Sequence, residues 1–183
     1  MRSLLAIAFT FGSVASAFPF ATWIMTPPPA GTKFYQLQAK SDATAVANQW
    51  VTLETGSKSY SLASNKAAAT KFFVNKYDPT GTYAFHNADD TRQIALQGSD
   101  GSLLYLVDIT NPNENNIPGG QLMEWATFTM DNNVLGVKDG SILQNRTFVA
   151  ARGTGSGYTL ALYDGASTVS VSITPITLNI VSA

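Results

Sequence analysis

Turn-forming pairs of Asn, Asp and Gly recur along this chain and leave room for little except short strands between them. Asp131-Asn132-Asn133 and Asp139-Gly140 lie within residues 125–148, and Asp100-Gly101 and Asp164-Gly165 separate further β-rich runs. Asn, Asp and Gly tolerate the positive φ of two-residue hairpin loops, so each pair is expected to reverse the chain. Asp139-Gly140 in particular reads as a type I′ hairpin turn. Asp78-Pro79-Thr80-Gly81 reads as a type I turn with Pro at its second position, and Gly56-Ser57-Lys58 as a weaker variant.

Between these breaks, alternation and β-branched or aromatic residues predict strands over 34–39, 50–54, 60–62, 71–74, 83–86, 94–96, 103–107, 126–130, 148–150, 159–163, 169–172 and 176–181. Helix has support only at 43–47 and 66–69, both shorter than a stable isolated helix. Three cycles of strand, hairpin and strand emerge, with Phe72, Phe128 and Ile176 in equivalent places. The expectation is therefore one all-β domain, β-trefoil-like or a closed antiparallel barrel, with a Greek-key β-sandwich as the alternative. Residues 131–144 stand out as a surplus hairpin, and 108–121 (DITNPNENNIPGGQ) as the longest stretch without a strand pattern.

Residues 1–17 read as a secretory leader: Arg2, an apolar run over 4–11, then Ala15-Ser16-Ala17 as a cleavage site. Residues 18–31 form an apolar arm ending in a triple proline, which forbids helix and central strand, and the all-β domain follows over 32–183. That arm is expected to pack back on the domain or to serve as an aromatic attachment segment. The chain has no cysteine, so disulfides, thiolate metal sites and cysteine nucleophiles are excluded. Lys and Arg number 11 against 12 Asp and Glu, without clustering, which makes nucleic acid and anionic membrane poor partners.

The residues that could carry chemistry are few. His86 is the sole histidine, so any Ser-His-Asp set must use it; Asp89 and Asp90 lie near, but no nucleophile elbow is present and alternation places His86 outward as a solvated strand residue. Asp78, Asp100, Asp139 and Asp164 are explained as turn residues, which leaves Glu54, Asp108 and Glu124 for a two-carboxylate hydrolase. No cofactor and no metal site is expected. Asp108, Asn111, Asn113 and Glu114 offer oxygen ligands in one loop, yet the run lacks the order of a calcium loop. Trp23, Trp50 and Trp125 could stack on sugar rings, with strand core as the competing role for Trp50 and Trp125. Asn145-Arg146-Thr147 is an N-glycosylation acceptor.

The leader, the size, the absence of helix, and the pattern running from Trp125-Ala126-Thr127-Phe128-Thr129-Met130-Asp131 to Leu135 and Gly140 resemble small secreted fungal cell-wall proteins of the phialide type. The resemblance implies a non-enzymatic role at a wall or hyphal surface. Together with an uncharged but polar composition, 13% charged, this predicts a secreted binding or structural module for cell-wall polysaccharide or a surface protein. A secreted protease inhibitor or host-directed effector acting through 108–121 is the second expectation, and a hydrolase the third.

Overall fold

The structure is a computed structural model that describes residues 28–110, 117–143, 145–153 and 157–183. Among the described residues fourteen strands are formed, and the only helical element is a single 3-10 turn at Lys66–Ala68, capped by Asn65. The leader and most of the arm lie outside the described residues. What is described of the arm ends in a tight turn in which Thr32 donates through N and Oγ1 to Pro29 O, with Gly31 at φ +88°.

The first cycle comprises β1 (Tyr35–Lys40), β2 (Trp50–Thr52), β3 (Ser61–Ala63) and β4 (Phe72–Tyr77). The second comprises β5 (Thr82–Asn87), β6 (Gln93–Gly98), β7 (Leu103–Ile109), β8 (Leu122–Glu124) and β9 (Phe128–Asp131). The third comprises β10 (Val134–Val137), β11 (Thr147–Arg152), β12 (Tyr158–Tyr163), β13 (Ser172–Pro175) and β14 (Thr177–Ser182).

Six of these strands close an antiparallel ring. The ribbons β4–β5, β9–β10 and β14–β1 pair internally, and they join one another at Tyr35↔Phe72, Tyr83↔Phe128 and Val134↔Asn179. The remaining hairpins, β2–β3, β6–β7 and β11–β12, cap one end and bond to each other through Thr159↔Ser61, the β7–β12 pairs and Ser59↔Val107. A longer circuit through ring and cap, from β12 by way of β3, β2, β1, β14, β10, β9, β5 and β6 to β7, also closes on itself. Three ribbons plus three capping hairpins is the β-trefoil arrangement, and a ring without free faces cannot be a Greek-key sandwich. The third ribbon joins at Asn179 in β14, so Ile176, just ahead of that strand, is not the counterpart of Phe72 and Phe128 in pairing.

Burial explains why the ring holds. Phe72, Phe85 and Phe128 are fully enclosed and stack in a chain with Tyr60, at centroid distances of 5.7 Å (Tyr60–Phe72), 6.3 Å (Phe72–Phe85) and 5.7 Å (Phe85–Phe128). Leu37, Ile94, Leu96, Leu104, Leu106, Leu160 and Leu178 complete the core. Tyr60 sits where the three cap hairpins meet: its N donates to Leu106 O, its O accepts from Leu160 N, and its hydroxyl donates to Asp108 Oδ1 at 3.1 Å. Burial, then the Asp108 carboxylate, push the Tyr60 phenol far above its usual range, so it stays a donor.

The turns sort by their φ. Asn132 and Asn133 have φ of +54° and +59° between paired Asp131 and Val134, so the chain reversal expected there is a type I′ hairpin. It is the ordinary link between the second and third cycles, not a surplus one. Asp139-Gly140 is different. Only Gly140 has positive φ (+84°), whereas type I′ needs it at both central positions, and β10 and β11 do not pair. The turn instead shapes a nine-residue-scale link, 138–146, in which Asp139 Oδ1 accepts from Ser141 N at 2.9 Å. Asp100 and Asp164 use the same device, accepting from Ser102 N and from Ala166 N.

Candidate functional site

Hairpin β6–β7 shows how the chain builds a polar surface. Opposed Leu96 and Leu106 point into the core and are fully buried, so the next pair, Gln97 and Tyr105, faces outward. Gln97 Nε2 donates to Gln121 Oε1, delivered by the turn that precedes β8, where Gln121 N donates to Pro118 O at 3.1 Å. With Ser59, Ser102 and the segment 168–171, these side chains line a cleft of about 530 Å³. Asp100 is its only carboxylate, and that is occupied: Ser102 donates to Oδ1 through N at 3.0 Å and Oγ at 2.6 Å, which holds the carboxyl below its usual range. The lining thus sets a half-buried phenol ring among amides, hydroxyls and the side chains of Leu103, Val107, Val169 and Val171, with no cation.

A second cleft, of about 440 Å³, lies between β10, the 138–146 link, the start of β11, and Ile176-Thr177. Asp139 and Arg146 form an ion pair on its wall, their side chains only 7% and 12% exposed. Behind them Glu124 of β8 shares a hydrogen bond with Asp139, and Glu124 Oε2 is enclosed with no hydrogen-bond partner among the described residues. Burial, with the hydrogen bond and charge of Asp139 adding to it and Arg146 opposing, pushes the Glu124 carboxyl up to about 7. Burial also raises Asp139, but hydrogen bonds from Glu124, Arg146 and the Ser141 amide outweigh it and hold Asp139 below the usual carboxylate range. Of the two carboxyls beside the guanidinium, Glu124 is therefore the one that protonates first. Assigning Asp139 to a turn alone was incomplete: one oxygen shapes the turn and the other carries the ion pair.

The residues marked in the sequence are scattered. Trp50 is 9% exposed in β2 with Lys66 Nζ 5.2 Å from its ring centroid, so it offers no open platform. Trp125 is half-buried just ahead of β9 and lines neither cleft. Trp23, Asn111, Asn113 and Glu114 lie outside the described residues. Asp108 is not in an open loop: it is the penultimate residue of β7, its side chain is 4% exposed, and it binds the Tyr60 hydroxyl and Arg92 Nη1 at 2.8 Å. Asn145 is exposed immediately before Arg146 and β11.

His86 is not the solvated residue its alternation suggests. Its side chain is 16% exposed, stacked on Phe73 at 5.1 Å and 24°, with Nδ1 2.7 Å from Asp90 Oδ1. Phe34 adds an edge contact to Phe73 at 6.3 Å. An outer-face aromatic cluster, invisible to strand alternation, covers the imidazole. No hydroxyl or thiol nucleophile is among its hydrogen-bond partners within the described residues, and no group of three His, Cys, Asp or Glu converges there on a metal-sized point.

Gln97, Tyr105 and Gln121 were missed because single polar residues within apolar strands look like ordinary surface. The alternation in IALQ and LLYLV carried the signal for the first two; Gln121 needed the pairing of β8 with β6, which no local pattern shows. Compared with family models, curated proteins and solved structures, the chain matches none.

Proposed function

We propose that this protein is a secreted, non-enzymatic binding module that holds a neutral polysaccharide of a cell wall or extracellular matrix in the cleft over β6–β7. The observation that carries this is the lining itself: Tyr105 beside Gln97 and Gln121, with hydroxyls around them and the single carboxylate already engaged. A flat ring gives apolar area for a sugar face, while amides and hydroxyls fix its orientation through hydrogen bonds. An anionic ligand would find no counter-ion there. Secretion is supported by the leader pattern at 1–17 and wall association by the resemblance drawn above.

The test is retention of the purified protein on chitin, β-glucan and cellulose. Retention on one of them, reduced at least tenfold by Tyr105→Ala and by Gln97→Ala with thermal stability kept, is the expected result. Neither side chain is fully buried, so both variants should fold. No retention on any polymer, or equal retention by both variants, would overturn the reading.

A further inference from the structure

The cleft over β6–β7 holds two primary amides that are only partly used. Gln97 Nε2 donates to Gln121 Oε1, which leaves Gln97 a carbonyl oxygen and Gln121 an amino group with no second partner among the described residues. Exchanging O and N in both side chains would reverse that bond and still leave one acceptor beside one donor. The segment 168–171 lines the same cleft and alternates: Thr168 and Ser170 are exposed, whereas Val169 and Val171 are half-buried. With Leu103, which shares the outward face of β7 with Tyr105, the two valines give the cleft an aliphatic wall. We propose that the polymer held there is a neutral one of N-acetylated amino sugar, as in chitin, its acetamide N–H donating to Gln97, its carbonyl accepting from Gln121 and its methyl group lying against the aliphatic side chains; this rests on the polysaccharide reading of the cleft.

A secondary amide with a methyl group is what this lining complements. It carries one donor and one acceptor close together, as the glutamine pair offers one acceptor and one donor, and its methyl group gains by leaving water for an apolar wall. A sugar with a hydroxyl at the same carbon can bond to the amides but brings nothing apolar to Leu103, Val169 and Val171. Polymers recognised mainly through the flat faces of their sugars want broad aromatic area, and among the described residues the cleft has the Tyr105 ring alone. Acetamido polymers that also carry carboxylates fit less well, because no cation lines the cleft. The combination selects an uncharged acetamido polymer.

Calorimetric titration of the purified protein with the hexasaccharides of chitin and of cellulose tests the assignment, since the two share ring and linkage and differ only in the acetamide or hydroxyl at one carbon. The chitin hexasaccharide should bind more tightly by roughly tenfold or more. Gln121→Glu puts acceptors where the sugar carbonyl needs a donor, and Val169→Ser takes away part of the aliphatic wall. Each should cut the preference by roughly threefold or more. Gln121 is exposed and Val169 half-buried outside any strand, so both variants should keep the melting temperature of the parent. Equal or tighter binding of the cellulose hexasaccharide, or a preference that either variant leaves unchanged, would overturn the acetamide assignment and leave the polysaccharide reading standing. Binding of neither sugar would overturn both.

Discussion

Gly140 and Gly165 share a backbone conformation and differ in their surroundings, and so the cost of adding one methyl group at each can be separated. Their φ values are +84° and +82°, where an L side chain costs about 1–2 kcal/mol. At Gly140 nothing lies within 4 Å of the position a Cβ would take, so Gly140→Ala should cost only that. At Gly165 the same atom would lie 2.8 Å from Asn145 Cβ and 2.9 Å from its carbonyl carbon, with the carbonyl oxygen also in the way. Those neighbours are backbone or fixed to it, so the strand entry at 145–147 must move, adding roughly 1–3 kcal/mol of overpacking. Gly165→Ala should therefore cost about 2–5 kcal/mol in total. Urea denaturation of both variants gives the comparison directly. A difference below about 0.5 kcal/mol, the scatter of ordinary surface substitutions, would refute the close packing of 164–166 on the 145–147 segment.

Phe85→Ala removes an inner ring of the four-ring aromatic chain in a fully buried site and should cost about 3–5 kcal/mol, read from the same denaturation curves. Stability should also depend on pH through Glu124: its carboxyl is raised in the folded state from 4.5 to about 7, so the contribution is complete below about 4.5 and is lost as pH rises through 7. Because Glu124 is only half covered, the full value of the shift is discounted for solvent to on the order of 1–2 kcal/mol. Denaturation midpoints at pH 5 and 8 should show that loss, and Glu124→Gln should abolish it. The acceptor motif predicts a glycan on the exposed Asn145 when the chain is expressed through a secretory route: enzymatic removal of N-glycans should lower the mass and Asn145→Gln should reproduce the lowered mass, and an unchanged mass refutes it.

What could be read in advance follows from the range of the forces involved. The type I′ turn at Asn132-Asn133 is local, set by two residues that tolerate positive φ, and it stands where the sequence places it. Apolar and aromatic runs likewise found strands such as β1 and β12, although 169–171 failed to join β13. Asp139-Gly140 carries the same local signal, yet its flanking strands are each paired on both sides already, β10 with β9 and β14 and β11 with β12 and β13, and those pairings outcompete the hairpin. The Glu124–Asp139–Arg146 cluster was illegible for the same reason, because Asp139 is sufficiently explained by its glycine until β8 brings Glu124 against it. Strand β8 itself, three residues long after a polar run, has no pattern to read.

Departures from three-fold repetition explain where the two clefts lie. The links after β1 and β10, residues 41–49 and 138–146, are equal in length, but the first drives Val46 into the core at 0% exposure while the second turns Ile142 outward at 88%. A cleft lies beside the second link, whose position is set by charge where the first is set by apolar burial. Strand β8 is the other departure, an addition to the second cycle that pairs with β6 through Leu96↔Glu124, Gln97↔Met123 and Gly98↔Leu122. One end of this strand brings Glu124 against the Asp139–Arg146 pair, and the residue ahead of its other end, Gln121, bonds Gln97 in the cleft over β6–β7. Its three pairs with β6 fix both ends together, so one short addition to the second cycle supplies a side chain to each of the two sites.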